Sequence, residues 1–380
     1  MKSDCLVFFD PTRSVWVLVS RPDYLKYVLN YRQYLYIKYL FLFNKRPNQN
    51  LASLLNKLGL KAENKTAHEL FALRPKGKSK ILKATWALTN GCPYTCKICI
   101  MQGIVEKEMT TRQKKKALHK LYKLGVVWLQ FTGGDPLAAK DFCEIYELAY
   151  DLGFLIKIQT NGFCISQNQQ LQQLIQKKPP YQVTLSMYGA NTSTYDKYTG
   201  VEGSFNSFYV AMILLQRVDI EVKINIIITK DNQHECQAMI NLCKDFEFEY
   251  FVGADIVPTF SGGADPIGCM VECPEKYHGL NPLPQSPEQP QDIDCQAGKY
   301  FIHITSSGQV LPCQTARVVC EGFNLFSPMI LWGYRMRKQI HLIKKIPDEC
   351  KYCTCQICIP NRLLYFKAGL LPNKCIKEVL

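Results

Sequence analysis

Six apolar runs of strand length recur between residues 83 and 257, and stretches of helical periodicity separate them. The runs are KATWAL (83–88), VVWLQFT (126–132), FLIKIQT (154–160), QVTLSMY (182–188), EVKINIIIT (221–229) and EYFVGADIV (249–257). TRQKKKALHKLYKLG and SFNSFYVAMILLQRV are examples of the helical stretches between them. Strands this rich in Val and Ile suit a parallel sheet buried on both faces. Successive βα units then predict an α/β fold, a partial (β/α)6 barrel whose active site lies at the C-terminal ends of its strands.

TNGCPYTCKICI follows the first of these strands, so Cys92, Cys96 and Cys99 fall at that end in a C-x3-C-x2-C spacing. The chain holds 18 cysteines. No secretory signal is apparent, and the most apolar early stretch, residues 34–43, contains Lys38 and is too short to span a membrane. A cytoplasmic location without membrane partners is the expectation. There, thiols serve metal or iron–sulfur ligation in preference to disulfides. Three thiolates on a [4Fe–4S] cube leave one iron open to a substrate or cofactor. For a bare triad, zinc is the competing reading. Cys5, Cys143, Cys164, Cys236 and Cys243 lie outside the groupings and read mostly as buried small hydrophobes.

The triad after a first barrel strand resembles the radical S-adenosylmethionine (SAM) enzymes. That resemblance implies that Cys92, Cys96 and Cys99 hold the radical cluster and that SAM chelates its open iron. Further motifs fall in register over residues 81–260. Gly133-Gly134-Asp135-Pro136 follows the second strand and is similar to the family's GGEP, which contacts the SAM methionyl group, with Asp135 in place of Glu. Thr160-Asn161-Gly162 ends the third strand, and Ser186 in LSMYG matches the position that binds the SAM ribose. Ile98 stands where an aromatic residue near the adenine is usual. TYDKYTGVEGSF (194–205) resembles a loop of the peptide-modifying branch.

Residues 261–294 are rich in Pro and Gly and read as a connecting loop. Beyond them, YFIHITSSGQVLPC reads as a hairpin, and Cys295, Gly308 and Cys313 give C-x12-G-x4-C. Cys350, Cys353, Cys355, Cys358 and Cys375 complete a series similar to the SPASM extension, which holds two auxiliary [4Fe–4S] clusters. The resemblance assigns Cys350, Cys353, Cys355 and Cys375 to one cluster and Cys295, Cys313 and Cys358 to the other. For the fourth position of the latter, Cys269, Cys273, Cys320 or an open site remain. Cys350–Cys358 is shorter than the family's block, and zinc is the alternative there.

Residues 1–83 hold 16 Lys/Arg against 5 Asp/Glu, an excess of +11, while the rest of the chain carries +3. CLVFFDPTRSVWVLVS predicts a hairpin around Asp10-Pro11, residues 23–43 read as helical, and a second helix begins at NLASLLNKLGL with Asn50 as its cap. This basic module (1–80) is compatible with a PqqD-like winged helix whose three-stranded sheet captures a leader peptide. The domain series is then 1–80, 81–260, 261–294 and 295–380. A radical SAM/SPASM maturase of a ribosomally made peptide is the favoured reading, with a cross-link, thioether or epimerised centre as product. The implied partners are a precursor peptide and an electron donor such as flavodoxin or ferredoxin, with no nucleic acid. A radical SAM oxidase of a small molecule such as a tetrapyrrole, and a zinc-bearing nucleic-acid-binding protein, are the alternatives. Tyr188, Cys164 and Cys320 are candidate proton donors, each also explicable as structural.

Overall fold

In the computed structural model, which describes residues 5–11, 13–20, 25–74, 76–77, 79–218, 220–278, 280, 297–318 and 320–344, the N-terminal hairpin forms as expected. Its strands β1 (Cys5–Asp10) and β2 (Val15–Ser20) are antiparallel. The stretch read as one helix from residue 23 instead divides. Lys26–Leu29 forms β3 against β2, because Tyr27 and Val28 favour a pleated surface and Asn30 forms a capping box with Gln33 that starts α1 (Tyr31–Leu42). The second helix, α2 (Gln49–Lys57), is capped by Asn48 and not by Asn50. After α3 (Ala67–Leu70), β4 (Phe71–Leu73) pairs in parallel with β1. The sheet order is β3-β2-β1-β4, four strands where a winged helix would supply three.

Alternation in β1 and β2 gives this sheet two apolar faces. Val7 and Leu18 pack on Ile37, Leu40 and Leu55 of the module's own helices. Leu6, Phe8, Val17 and Val19 instead pack on Leu82, Val127 and Leu155, at the N-terminal ends of the barrel strands. The Arg74 guanidinium pins the junction. Its Nη1 donates to the Leu152 carbonyl at 2.9 Å, its Nη2 donates to the Val126 carbonyl, and it lies 4.0 Å over the Tyr122 ring.

The barrel strands are β5 (Lys83–Thr89), β6 (Trp128–Gly133), β7 (Leu155–Thr160), β8 (Gln182–Met187), β9 (Glu221–Ile227) and β10 (Glu249–Gly253). They pair in parallel in that order and do not close. Between them run α4 (Thr111–Leu124), α5 (Phe142–Asp151), α6 (Phe163–Gln167), α7 (Gln169–Lys177), α8 (Thr192–Thr199), α9 (Ser204–Gln216) and α10 (Cys236–Asp245). Trp86, Phe131, Ile158, Leu185 and Ile224 fill the layer between sheet and helices. The concave face departs from the expectation of two apolar faces: Gln130 and Lys157 project there half-buried, bonded to Gln159 and Gln182.

Beyond β10 come α11 (Glu275–His278), the expected hairpin β11 (Phe301–Ile304) and β12 (Gln309–Leu311), then β13 (Phe323–Asn324) and α12 (Met329–Lys344). β11 also pairs in parallel with β5, extending the sheet to nine strands. No described helix is long and apolar enough to cross a membrane. Cys295, Cys350, Cys353, Cys355, Cys358 and Cys375 lie outside the described residues.

Candidate active site

The loop leaving β5 is held from three sides. Thr89 Oγ1 and the Asn90 N–H both donate to Glu108 Oε1 at 2.7 Å. The Thr95 N–H donates to the Thr199 carbonyl at 2.9 Å, where Gly200, left-handed at φ 71°, leaves room for the Thr95 hydroxyl. The buried Tyr94 reaches the Ser204 carbonyl and meets Phe163 edge-on. The 194–205 loop thereby braces the triad, with Asp196 accepting from the Gly203 and Phe205 amides and the Ser204 hydroxyl.

Cys92 is exposed, and Cys96 and Cys99 are half-buried. Cys92 Sγ accepts from the Tyr94 N–H at 3.4 Å and from Asn161 Nδ2 at 3.5 Å. Partial burial pushes the Cys92 thiol up to about 11, with Asp135 and Cys99 adding to the shift, and the Cys96 thiol up to about 12, with Cys92 and Cys99 adding to it. Three accessible, mutually close thiols with N–H donors on sulfur fit an iron–sulfur cluster. Among the described residues no three His, Cys, Asp or Glu side chains converge on one point as a single metal ion requires; a cubane takes one thiolate at each of separate iron corners. Held by Cys92, Cys96 and Cys99, such a cluster would supply the electron for reductive cleavage of a bound SAM.

The remaining sequence motifs meet this loop. Gly133 adopts φ +136°, and a Cβ there would lie 2.2 Å from the Thr89 carbonyl oxygen. A Cβ on Gly134 would lie 2.4 Å from the Gly91 oxygen and 2.5 Å from the Asn90 oxygen. Asp135 is buried and accepts from Thr160 Oγ1 (2.7 Å), the Asn161 N–H (2.9 Å) and the Leu137 N–H (2.9 Å). Burial raises its pKa, which those bonds oppose. Its carboxylate thus ties the turn after β6 to the turn after β7, and Asn161 reaches Cys92 from there. Pro136 begins the short 3-10 turn Pro136–Ala138. Ser186 sits half-buried at the end of β8, where its carbonyl accepts from Tyr195, and Ile98 is half-buried on the triad loop. Tyr188, also at this end, stacks on Tyr198 at 4.6 Å within the field of Cys96. Cys164 lies on α6, its thiol pushed up to about 12 by burial.

The sequence offered no signal for one part of the site. The Ser306 hydroxyl contacts Asn90 Oδ1 and Glu106 Oε2, both at 3.0 Å, and Arg317 Nη1 reaches Glu106 Oε1 at 3.1 Å. The C-terminal hairpin is thus bonded to the triad loop across 200 residues of sequence or more. His303 on β11 is fully buried, its Nδ1 2.8 Å from Thr85 Oγ1.

Two expectations follow. Gly134→Ala pushes a methyl into backbone oxygens that cannot move aside cheaply, so iron at the triad and 5′-deoxyadenosine formation are expected to fall at least about tenfold with a native circular dichroism spectrum, since a steric cost above about 1.4 kcal/mol suffices. The second concerns His303, whose pKa burial, and then Arg317, depress to about 3 from the ordinary 6.5. The folded chain therefore keeps the imidazole neutral while the unfolded chain protonates it below about 6.5, and stability falls as pH drops through that value. The loss is about 2 kcal/mol at pH 5. Denaturant titrations at pH 7 and pH 5 should show it, and His303→Leu should flatten it.

Residues 86–243 match the family model described as the radical SAM superfamily. An AdoMet-dependent heme synthase of Oleidesulfovibrio alaskensis is 27% identical over 309 residues, covering 70% of this chain and 79% of the relative. A PqqA peptide cyclase of Bradyrhizobium diazoefficiens is 22% identical over 253 residues, covering 61% of this chain and 66% of the relative. The fold is similar to that of Streptococcus suis SuiB bound to S-adenosylmethionine, with a TM-score of 0.59, 15% identity and coverage of 96% of this chain and 94% of that one. The match makes residues 86–243, built around Cys92, Cys96 and Cys99, a radical SAM domain, and with relatives named as enzymes the chain is an enzyme.

Proposed function

We propose that the chain modifies a ribosomally made peptide whose leader it captures on the N-terminal sheet, with cross-linking, thioether formation or epimerisation as the class of outcome. The observation that carries this reading is the edge of β3. Among the described residues β3 pairs only with β2, and an open edge beside apolar side chains is what an added peptide strand needs. Val28 is 53% and Tyr31 66% exposed, and Leu25 and Leu35 are exposed too. The excess of +11 over residues 1–83 suits an acidic leader. Relatives named PqqA peptide cyclase support a peptide substrate. In this reading Cys92, Cys96 and Cys99 hold the radical cluster, and Gly133, Gly134, Pro136, Thr160, Asn161, Ser186 and Ile98 line the SAM site. Asp135 acts as a positioning residue behind them. The distal cysteines hold auxiliary clusters, and flavodoxin or ferredoxin supplies the electron.

A second reading, oxidation of a tetrapyrrole side chain, is favoured by the heme synthase relatives. The family match supports radical SAM chemistry at the triad over the zinc-bearing nucleic-acid reading.

Removing the whole module is a poor test, because it would uncover Leu82, Val127 and Leu155. Val28→Glu instead adds an acid at an exposed edge position. Affinity for an acidic precursor peptide encoded beside the gene is expected to fall about tenfold, an effect of about 1.4 kcal/mol, while SAM cleavage without peptide is retained. The charged part of the interaction should weaken with salt, as exposed charges are screened beyond about 8–10 Å at physiological ionic strength. Unchanged affinity in Val28→Glu would remove β3 as the docking edge, and turnover of a porphyrin without any peptide would favour the second reading.

A further inference from the structure

Cys313 and Cys320 are brought together by a feature absent from the SPASM pattern. β12 ends at Leu311, and the chain then turns through the 3-10 helix Thr315–Val318. The Ala316 N–H donates to the Cys313 carbonyl at 3.2 Å and the Cys320 N–H donates to the Ala316 carbonyl at 3.0 Å. Two successive turns set residues seven apart on one side of the segment, the Cys320 thiol lies in the field of the Cys313 thiol, and both pack in one small cluster with Ala297, Leu311 and Ala316. Two other thiols compete for the same role. The Cys269 carbonyl accepts from the Lys230 amide after β9, and its thiol lies in the field of Asp231, Lys97 and Lys230. Cys273 lies beyond it, its carbonyl bonded to Lys276. Neither belongs to the Cys313 cluster. Within the C-x6-C segment, Arg317 also keeps Nε and Nη2 buried without a hydrogen-bond partner among the described residues. Buried unsatisfied donors are costly, and an anionic cluster bound at this turn supplies acceptors.

We propose that Cys320, with Cys313, ligates one auxiliary iron–sulfur cluster, so that Cys269 and Cys273 are not its ligands. This rests on the auxiliary-cluster part of the proposed function. The test uses the full-length chain carrying Cys92→Ala, Cys96→Ala and Cys99→Ala, so that all bound iron is auxiliary. Iron and labile sulfide are counted after anaerobic reconstitution, and the reduced protein is examined by electron paramagnetic resonance. Adding Cys320→Ala should remove about four irons per chain or convert the site to a three-iron signal. Cys269→Ala and Cys273→Ala should leave both readouts unchanged. Cys320→Val fills the same space without a thiolate, so the same loss in both Cys320 variants with native circular dichroism reports ligation and not collapse of the turn. Iron and spectrum unaltered in either Cys320 variant overturn the proposal while the auxiliary-cluster reading stands. A parent variant that binds no iron overturns both.

Discussion

Alanine at Cys92, Cys96 or Cys99 is expected to reduce reductive cleavage of SAM to the uncatalysed level. The assay is anaerobic conversion of SAM to 5′-deoxyadenosine and methionine with dithionite, in reconstituted protein. The effect is large because the thiolates are not interchangeable. Cys92 is the exposed member, carrying the Asn161 and Tyr94 contacts. Cys96 lies against Tyr188, and the Cys99 amide closes a turn onto the Cys96 carbonyl. A cubane takes one thiolate at each of three iron corners, so removing any one of them opens the set. Cys164, on α6, is held by its own helix. Cys143→Ala, on α5 and packed against the barrel core, is the control and should cleave SAM normally. Undiminished cleavage in any triad variant would refute the assignment of the radical cluster.

The barrel was legible because its signal is local. Val- and Ile-rich runs mark the strands, and the glycines of GGDP mark a turn after β6 that only residues without a Cβ can make. The triad stood out because one residue type at a fixed short spacing is visible without any distant partner. What stayed hidden depends on partners distant in sequence. Lys26–Leu29 read as helix because its strand character comes from pairing with β2, and a four-residue strand leaves too short a period to compete with the helical pattern that follows. Nothing in the sequence marks Arg74 as the buried pin between module and barrel that it is. Asp135 read as a departure from the family's Glu at a cofactor contact. Its three short-range acceptor bonds make it the joint between two strand-end turns, a role that a shorter carboxylate fills through Thr160. The attachment of the C-terminal hairpin through Glu106, Ser306 and Arg317 could not be read at all, since no spacing rule links residues that far apart.

The placement of the module sets a length requirement on any peptide it captures. Its sheet packs on Leu82, Val127 and Leu155 at the N-terminal end of the barrel, whereas the triad follows Thr89 at the C-terminal end. Lys26 on β3 bonds to Tyr181, just before β8 begins, so the open edge is at the same end. The seven residues of β5 span the difference, about 23 Å at roughly 3.3 Å per residue. An extended peptide covers at most about 3.3–3.6 Å per residue, so a leader held at β3 needs at least about seven residues before the modified position, and more if it passes around the helices. Peptides sharing one leader but with spacers from about three to about fifteen residues should therefore bind alike and react unlike. Binding, read by fluorescence anisotropy, stays constant. Modification, read by mass spectrometry, is absent below the threshold, rises steeply past it and then declines slowly as the tethered segment's effective concentration thins. Equal modification at three and fifteen residues would show that the core reaches the barrel mouth without a tether at β3. The module would then serve to cover the apolar base of the barrel, and recognition would reside at the mouth.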